Sequence, residues 1–243
     1  MIEIEQLRKR YGRIDAVASI DLCAPAAAIT TLLGGNGSGK TTTLRSIFGL
    51  IRADGGNVRV AGIDVTRDPL AARRLLGYFP DKPGLNPRLT PIEHWQFAAH
   101  LHGLDRAGRR QRIAQLIDEL AMEQLAHRPV QGFSTGERML VALGRALVHE
   151  PRYLVLDEPN RGLDIENLRR LRRLLRRQRD SGTCVLMSSH ALQEVEALSD
   201  RIVVIGNGCS LATGTLAELL DRAGADSLER AYLNLTTQAG VAA

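Results

Sequence analysis

Residues 34–41 read GGNGSGKT: a glycine, four free positions, Gly-Lys and then Ser or Thr. Glycines at this spacing let the backbone curl until successive N–H groups point at phosphate oxygens, and a helix opening behind them adds its positive end. Lys40 is placed to reach the terminal phosphates and the Thr41 hydroxyl to ligate magnesium. Gly34, Gly35, Asn36, Gly37, Ser38, Gly39, Lys40, Thr41 and the adjoining Thr42 are therefore candidates for holding a nucleoside triphosphate, ATP or GTP. More than a hundred residues downstream, YLVLDE at 153–158 is an apolar run ending on two carboxylates. Carboxylates at the carboxyl end of a strand lie where open α/β sheets bind ligands. Asp157 is expected to hold the magnesium shell, and Glu158 to accept a proton from, or orient, the water that attacks the γ-phosphate.

These residues need a scaffold, and the pattern supplies one. Residues 2–8 and 14–23 alternate as strands, and AITTLLG at 28–34 reads as a more buried strand feeding the glycine loop. A helix is expected over 41–50, then the turn DGG at 54–56 and the strand NVRVAG. Between 85 and 129 strand signals stop, and residues 92–102 and 109–125 read as helices, a helical insertion. Beyond it the spacing predicts a helix over 137–148, a strand at 153–156, a helix at 165–179, a strand at 183–187, a helix at 191–198 and a strand at 201–205. Such alternation argues for a largely parallel sheet covered by helices.

With 243 residues and 44% hydrophobic content the chain can bury one sizeable core. A net charge of +5 suits any anionic partner and selects none. Cys23, Cys184 and Cys209 are scattered, odd in number and without metal-ligand spacing, which favours a reduced compartment. The first ten residues carry dispersed charges and are not expected to form a secretory signal. No apolar run approaches the roughly 18 residues of a membrane span.

Taken together, these motifs resemble the ATP-binding cassette (ABC) family over about residues 1–222, in the family's order. FSTGERMLVALGRAL at 133–147 precedes YLVLDEP as the family's signature segment does. Ser134 and Gly136 match the usual Leu-Ser-Gly-Gly-Gln; Phe133, Thr135 and Glu137 depart from it. The resemblance implies an α/β P-loop NTPase fold of the ABC-ATPase type, with an antiparallel β portion, a helical subdomain inserted at about 85–132 and a short carboxyl-terminal tail at 223–243. It also implies ATP and Mg2+ as ligands. Ser134 and the Gly136 N–H would grip the γ-phosphate of an ATP held by a second subunit, so that a homodimer or heterodimer encloses the nucleotide. Without the family, STGE is a good helix start with Ser134 as N-cap. Tyr11 matches the aromatic that stacks on adenine, His190 in MSSHALQEV the switch histidine that contacts the γ-phosphate, and Asp164 the aspartate of the loop crossing between subunits.

Three departures bear on the chemistry. GYFPDKPGL puts Asp81 where the family carries a glutamine; a carboxylate there can bind magnesium directly or through water, yet it adds like charge beside ATP, which Lys82 would partly offset. Gly35 replaces the usual proline, and Asn160 and Arg161 replace small polar residues ahead of GLD. Together with SSHALQEVEALSDRIVVIGNG and the tail DSLERAYLNLT, the pattern resembles single-cassette ATPases of exporters, including the sodium-efflux type. That implies a separate membrane permease as partner, a cytoplasmic, peripheral position on the inner face of the membrane, and no nucleic acid. The rivals are a soluble ABC ATPase acting on nucleic acid or ribosomes, and a low-turnover ATP sensor.

Other features carry blander expectations. The seven arginines between 169 and 179 fall around an apolar stripe of Leu168, Leu171, Leu174 and Leu175, as on a solvated helix face. His94, His100 and His102 are expected on packing or surface positions, and Trp95 in the core of the insertion.

Overall fold

The computed structural model describes residues 1–240. At the amino end, β1 (Ile2–Tyr11) and β2 (Ile14–Ala24) form an antiparallel hairpin closed through Gly12 in the left-handed region. Next comes β3 (Ala28–Leu33), buried at every position. The glycine loop leads into α1 (Lys40–Ile47), followed by β4 (Gly55–Val60), β5 (Ile63–Asp64), α2 (Pro69–Leu75) and β6 (Leu76–Phe79). Two helices, α3 (Pro91–Leu101) and α4 (Arg106–Glu119), make up the insertion; each starts on a side-chain cap, Thr90 in a capping box with Glu93, and Asp105. The chain continues through α5 (Thr135–Leu147), β7 (Tyr153–Leu156), α6 (Ile165–Asp180), β8 (Cys184–Ser189), α7 (Leu192–Leu198), β9 (Arg201–Gly206) and β10 (Cys209–Gly214), and ends on α8 (Leu216–Ala223) and α9 (Leu228–Gln238).

The strands form one curled sheet in the order β5-β4-β1-β2-β10-β9-β3-β8-β7-β6. From β6 to β9 neighbours run parallel, whereas β5, β4, β1 and β2 form an antiparallel wing. The central β3 serves all three hydrophobic clusters: Ile29 enters the one under α5 and α6, Leu32 the one under α1 and the wing, and Leu33 the one shared with α8 and α9. A strand buried on both faces is stiff, and the glycine loop hangs from its carboxyl end.

The insertion does not keep a core of its own. Trp95, Ile113, Leu116 and Met122 join Leu154, Leu156 and Val185 of the sheet in one cluster, and the Trp95 indole N–H donates to the Val141 carbonyl at 2.8 Å. A fully buried indole is thus also satisfied as a donor, and it ties α3 to α5.

Several regions differ from the sequence reading: β10 and α8 are absent from it, and α4 ends at Glu119 where a helix is expected to run to 125. Residues 69–79, read without elements, form α2 and β6; β6 is only four residues long, and its Gly77 lets the end of α5 approach so closely that a Cβ would collide with the Ala146 carbonyl. Residues 223–243, read as a short tail, include α9, whose Leu228, Ala231 and Leu235 are buried against α8 and β10. Of that tail, residues 241–243 lie outside the described residues.

The ends of α3 and α5 meet through two imidazoles, His102 and His149, stacked with ring centroids 3.5 Å apart. His149 Nε2 donates to the Leu76 carbonyl at 3.1 Å, leaving Nδ1 buried without a partner. Burial, reinforced by the neighbouring His102, pushes the His149 pKa down from 6.5 to about 4. His149 is therefore neutral in the fold and protonates more readily in the unfolded chain. Its contribution to stability is complete above pH 6.5 and is lost as pH falls toward 4. Denaturant titration should find about 2 kcal/mol less stability at pH 5 than at pH 7.5 from this group, and His149→Gln should remove that part of the slope.

Candidate functional site

The loop geometry follows from its glycines. Gly37 and Gly39 have φ of +80° and +102°, conformations that side chains resist. A Cβ on Gly39 would stand 2.7 Å from the Ala16 carbonyl of β2, and one on Gly34 would stand 2.5 Å from Ser38 Oγ and 2.7 Å from the Ile205 carbonyl. Gly39 caps α1, so the helix opens directly at Lys40 with its free N–H groups facing the loop.

Lys40 is folded back over the loop. Its Nζ donates to the carbonyls of Gly34 at 2.7 Å and Gly35 at 3.0 Å and stands 3.3 Å from Glu158 Oε1. The other Glu158 oxygen is 2.8 Å from His190 Nδ1. Lys40, Glu158 and His190, 118 and 32 residues apart in the chain, are thus one linked unit. The Lys40 and Glu158 side chains are 7% and 9% exposed, against 51% for His190, so only the histidine faces solvent. Glu158 has φ of +51°, which costs a residue with a Cβ on the order of 1 kcal/mol. Its N–H donates to Ser188 Oγ at 2.9 Å.

Asp157 is fully buried beside it. Oδ1 accepts from Ser188 Oγ at 2.8 Å and Thr41 Oγ1 at 3.1 Å, while Oδ2 is buried with no hydrogen-bond partner. Burial raises the Asp157 pKa; the two hydroxyl donors oppose that shift and the charges of Asp81 and Glu158 add to it. A carboxylate oxygen left unpaired at this cost points to a cation. Thr41 and Asp157 together offer hard oxygen donors, the set magnesium prefers when phosphates and waters supply the rest of its shell, and so these residues fit Mg2+.

Tyr11, Asn36 to Thr42, Asp81, Glu158, Arg161 and His190 line one pocket. Tyr11 stands at its edge, 46% exposed. The counter-charge to Asp81 is Arg161, whose Nη1 donates to Asp81 Oδ1 at 3.1 Å, and not the adjacent Lys82. Two departures from the family pattern therefore pair with each other. Ser134 and Gly136 are not in this lining. Ser134 is exposed at the start of α5, its hydroxyl accepting the Glu137 N–H at 3.2 Å while the Glu137 carboxylate takes the Ser134 N–H at 2.7 Å. Asp164 caps α6 through the Asn167 N–H at 2.8 Å.

The sequence reading missed Ser188, which donates to the Asp157 carboxylate and accepts the Glu158 N–H, and assigned Arg161 no role. In-register pairing of β7 with β8, Leu156 beside Met187, puts Ser188 next to Asp157; the Ser-Ser-His run was the available signal. The arginines of α6 prove less idle than a solvated face: Arg172 grips Glu194 of α7 through Nε and Nη2, and Arg179 reaches Asp200 at 3.2 Å.

A parallel sheet with this loop at the end of β3 and paired carboxylates at the end of β7 defines a P-loop nucleotide triphosphatase. The chain belongs to the ABC transporter family, whose model matches residues 17–161. It is 36% identical over 227 residues to the daunorubicin/doxorubicin resistance ATP-binding protein DrrA of Streptomyces peucetius, covering 93% of this chain and 69% of that one. It is 33% identical over 222 residues to the ABC transporter ATP-binding protein NatA of Bacillus subtilis, covering 91% and 90%. A solved ATP-binding subunit of an ABC transporter superposes with a TM-score of 0.90 at 30% identity over 97% of this chain and 99% of the other. The chain is accordingly an ATP-binding, ATP-hydrolysing subunit of an ABC transporter. No helix among the described residues is long and apolar enough to cross a membrane.

Proposed function

We propose that this subunit powers an exporter: two cassettes, identical or related, close around two ATP molecules and drive a separate membrane permease from the inner face of the membrane. The observation that carries the reading is the split of the site. The linked Lys40, Glu158 and His190 face one pocket, whereas the Ser134 helix start lies outside it and is free to serve a pocket on another chain. Export is supported by relatives such as the lipopolysaccharide export system ATP-binding protein LptB of Escherichia coli, 32% identical over 232 residues.

In this reading residues 1–222 act as one ATPase domain with the helical insertion at about 85–132. Tyr11 offers its ring to adenine. The N–H groups from Gly34 to Thr42 and the Lys40 ammonium bind the phosphates, and Lys40 exchanges Glu158 for them, which releases that carboxylate toward the attacking water. His190 orients Glu158 and reaches the γ-phosphate. Magnesium, held by Thr41 and Asp157, would neutralise charge developing on the phosphates. Asp81, with Oδ1 committed to Arg161, is assigned to the outer hydration shell of that cation. Ser134 and Gly136 present a helix amino terminus to the partner's γ-phosphate. ATP then stabilises the closed dimer and hydrolysis withdraws that stabilisation.

Affinity capture of the tagged chain from detergent-solubilised membranes of its host should recover a multi-span membrane protein in stoichiometric amount. Recovery of ribosomes or DNA in its place would replace the transport reading.

A further inference from the structure

We infer that Tyr232 of the carboxyl-terminal helix α9 is a positioning residue for the phosphate loop. The Gly35 N–H donates to the Tyr232 hydroxyl at 3.0 Å, while the carbonyl of the same peptide unit, Gly34 O, accepts from Lys40 Nζ at 2.7 Å. One peptide plane is thus held at both ends, by the phosphate-binding lysine on its oxygen and by α9 on its nitrogen. Hydrogen bonds arranged this way on one amide polarise one another.

The clamp falls where packing alone leaves the loop open. Gly34 is confined by Ser38 and Ile205, and Gly39 by β2, but a Cβ on Gly35 would meet only the Tyr232 hydroxyl, at 3.6 Å. Two consecutive glycines carry the largest backbone freedom a chain can have. At Gly35 packing does not remove that freedom; hydrogen bonds do, from Lys40 to its carbonyl and from its N–H to Tyr232. A proline at this position would restrain the backbone by itself and offer no N–H, so Gly35 and Tyr232 work as a pair.

Tyr232 is well placed to hold its end. Leu228, Ala231 and Leu235 anchor α9 in the third hydrophobic cluster, and Thr236 Oγ1 donates to the Tyr232 carbonyl at 2.8 Å. The Leu228 N–H reaches Glu196 Oε1 on α7 at 3.3 Å, and α7 starts two residues after His190. The helix therefore touches the elements on both sides of the pocket, and what moves α9 is transmitted to the Gly34–Gly35 peptide that orients Lys40.

The inference rests on the reading of the loop as the ATP site, and the two fail differently. In the full-length chain, Tyr232→Phe should weaken ATP binding and raise KM about 3- to 10-fold, with kcat within about twofold, as expected for one lost hydrogen bond that orders the ground state. The thermal midpoint should stay near that of the parent because the ring remains. On a Gly35→Ala background, which keeps the N–H, Tyr232→Phe should cost the same; on a Gly35→Pro background it should cost nothing. Hydrogen exchange at the Gly35 amide should quicken in Tyr232→Phe, which tests the contact even if the proline variant fails to fold. Parental affinity and exchange in Tyr232→Phe, or an equal loss on the proline background, overturns the inference. A parent chain that binds no ATP overturns the site reading instead.

Discussion

Glu158→Gln is expected to lower steady-state ATP turnover by about 10²- to 10⁴-fold, the range for losing a positioned general base, while ATP binding persists or tightens. The amide keeps the shape of the carboxylate, so the contact with His190 at 2.8 Å can be retained through either amide atom. It lacks the negative charge that holds Lys40 at 3.3 Å. Lys40 is then free to answer the phosphates alone, and nucleotide no longer has to displace a buried carboxylate. Binding without turnover predicts a trapped species: in size-exclusion chromatography with ATP and Mg2+ the variant should run as a dimer and the parent largely as a monomer. A purified variant releasing phosphate at the parental rate would remove Glu158 from the base role, and a variant that stays monomeric with ATP would remove the shared-site dimer.

The parts of this machine that could be read from sequence are those whose cause is local. The glycine loop, the apolar strand at 153–156 and the helix beginning at 165 were legible because periodicity, a cap at Asp164 and a run of branched side chains all lie within the element itself. Strand β6 was not, since LGYF is short and its burial comes from the Ala146 carbonyl closing on Gly77. Helices α8 and α9 are absent from the sequence reading for different reasons: Thr215 and Glu218 spell a capping box for α8 that is legible in the sequence, whereas α9 falls in the segment read as a tail. Within the site, Ser188, Arg161 and Tyr232 make contacts across 31, 80 and 197 residues respectively. Their positions depend on strand register and on the docking of α9, which no spacing within a motif encodes. Asp81 shows the converse limit. Its type is legible as a departure, whereas its counter-charge is not the adjacent Lys82 but Arg161, brought to it from 80 residues away.

Lys40→Ala should produce two separable losses. The first is nucleotide affinity, by about 10²-fold or more, because the ammonium is the one positive side chain aimed at the phosphates from within the loop and charge-assisted contacts of this kind are strong. The second is stability before any nucleotide is added. Removing the lysine strands Glu158, 9% exposed, without its cation and leaves the Gly34 and Gly35 carbonyls short of a donor. Truncating one partner of a buried ion pair costs about 3–5 kcal/mol when burial is complete; the pocket is open on the His190 side, so about 1–3 kcal/mol is expected here. The two losses respond differently to a second substitution. Glu158→Gln added to Lys40→Ala should restore most of the stability, since no unpaired charge remains, yet restore none of the affinity, since no cation does. Denaturant titration and ATP titration of the two single variants and the double variant form a cycle that measures the coupling directly. Additive stability effects would mean that the Lys40–Glu158 contact holds nothing together, and Lys40 would then be no more than a phosphate ligand; a double variant regaining ATP affinity would place phosphate recognition on the backbone amides and the α1 terminus alone.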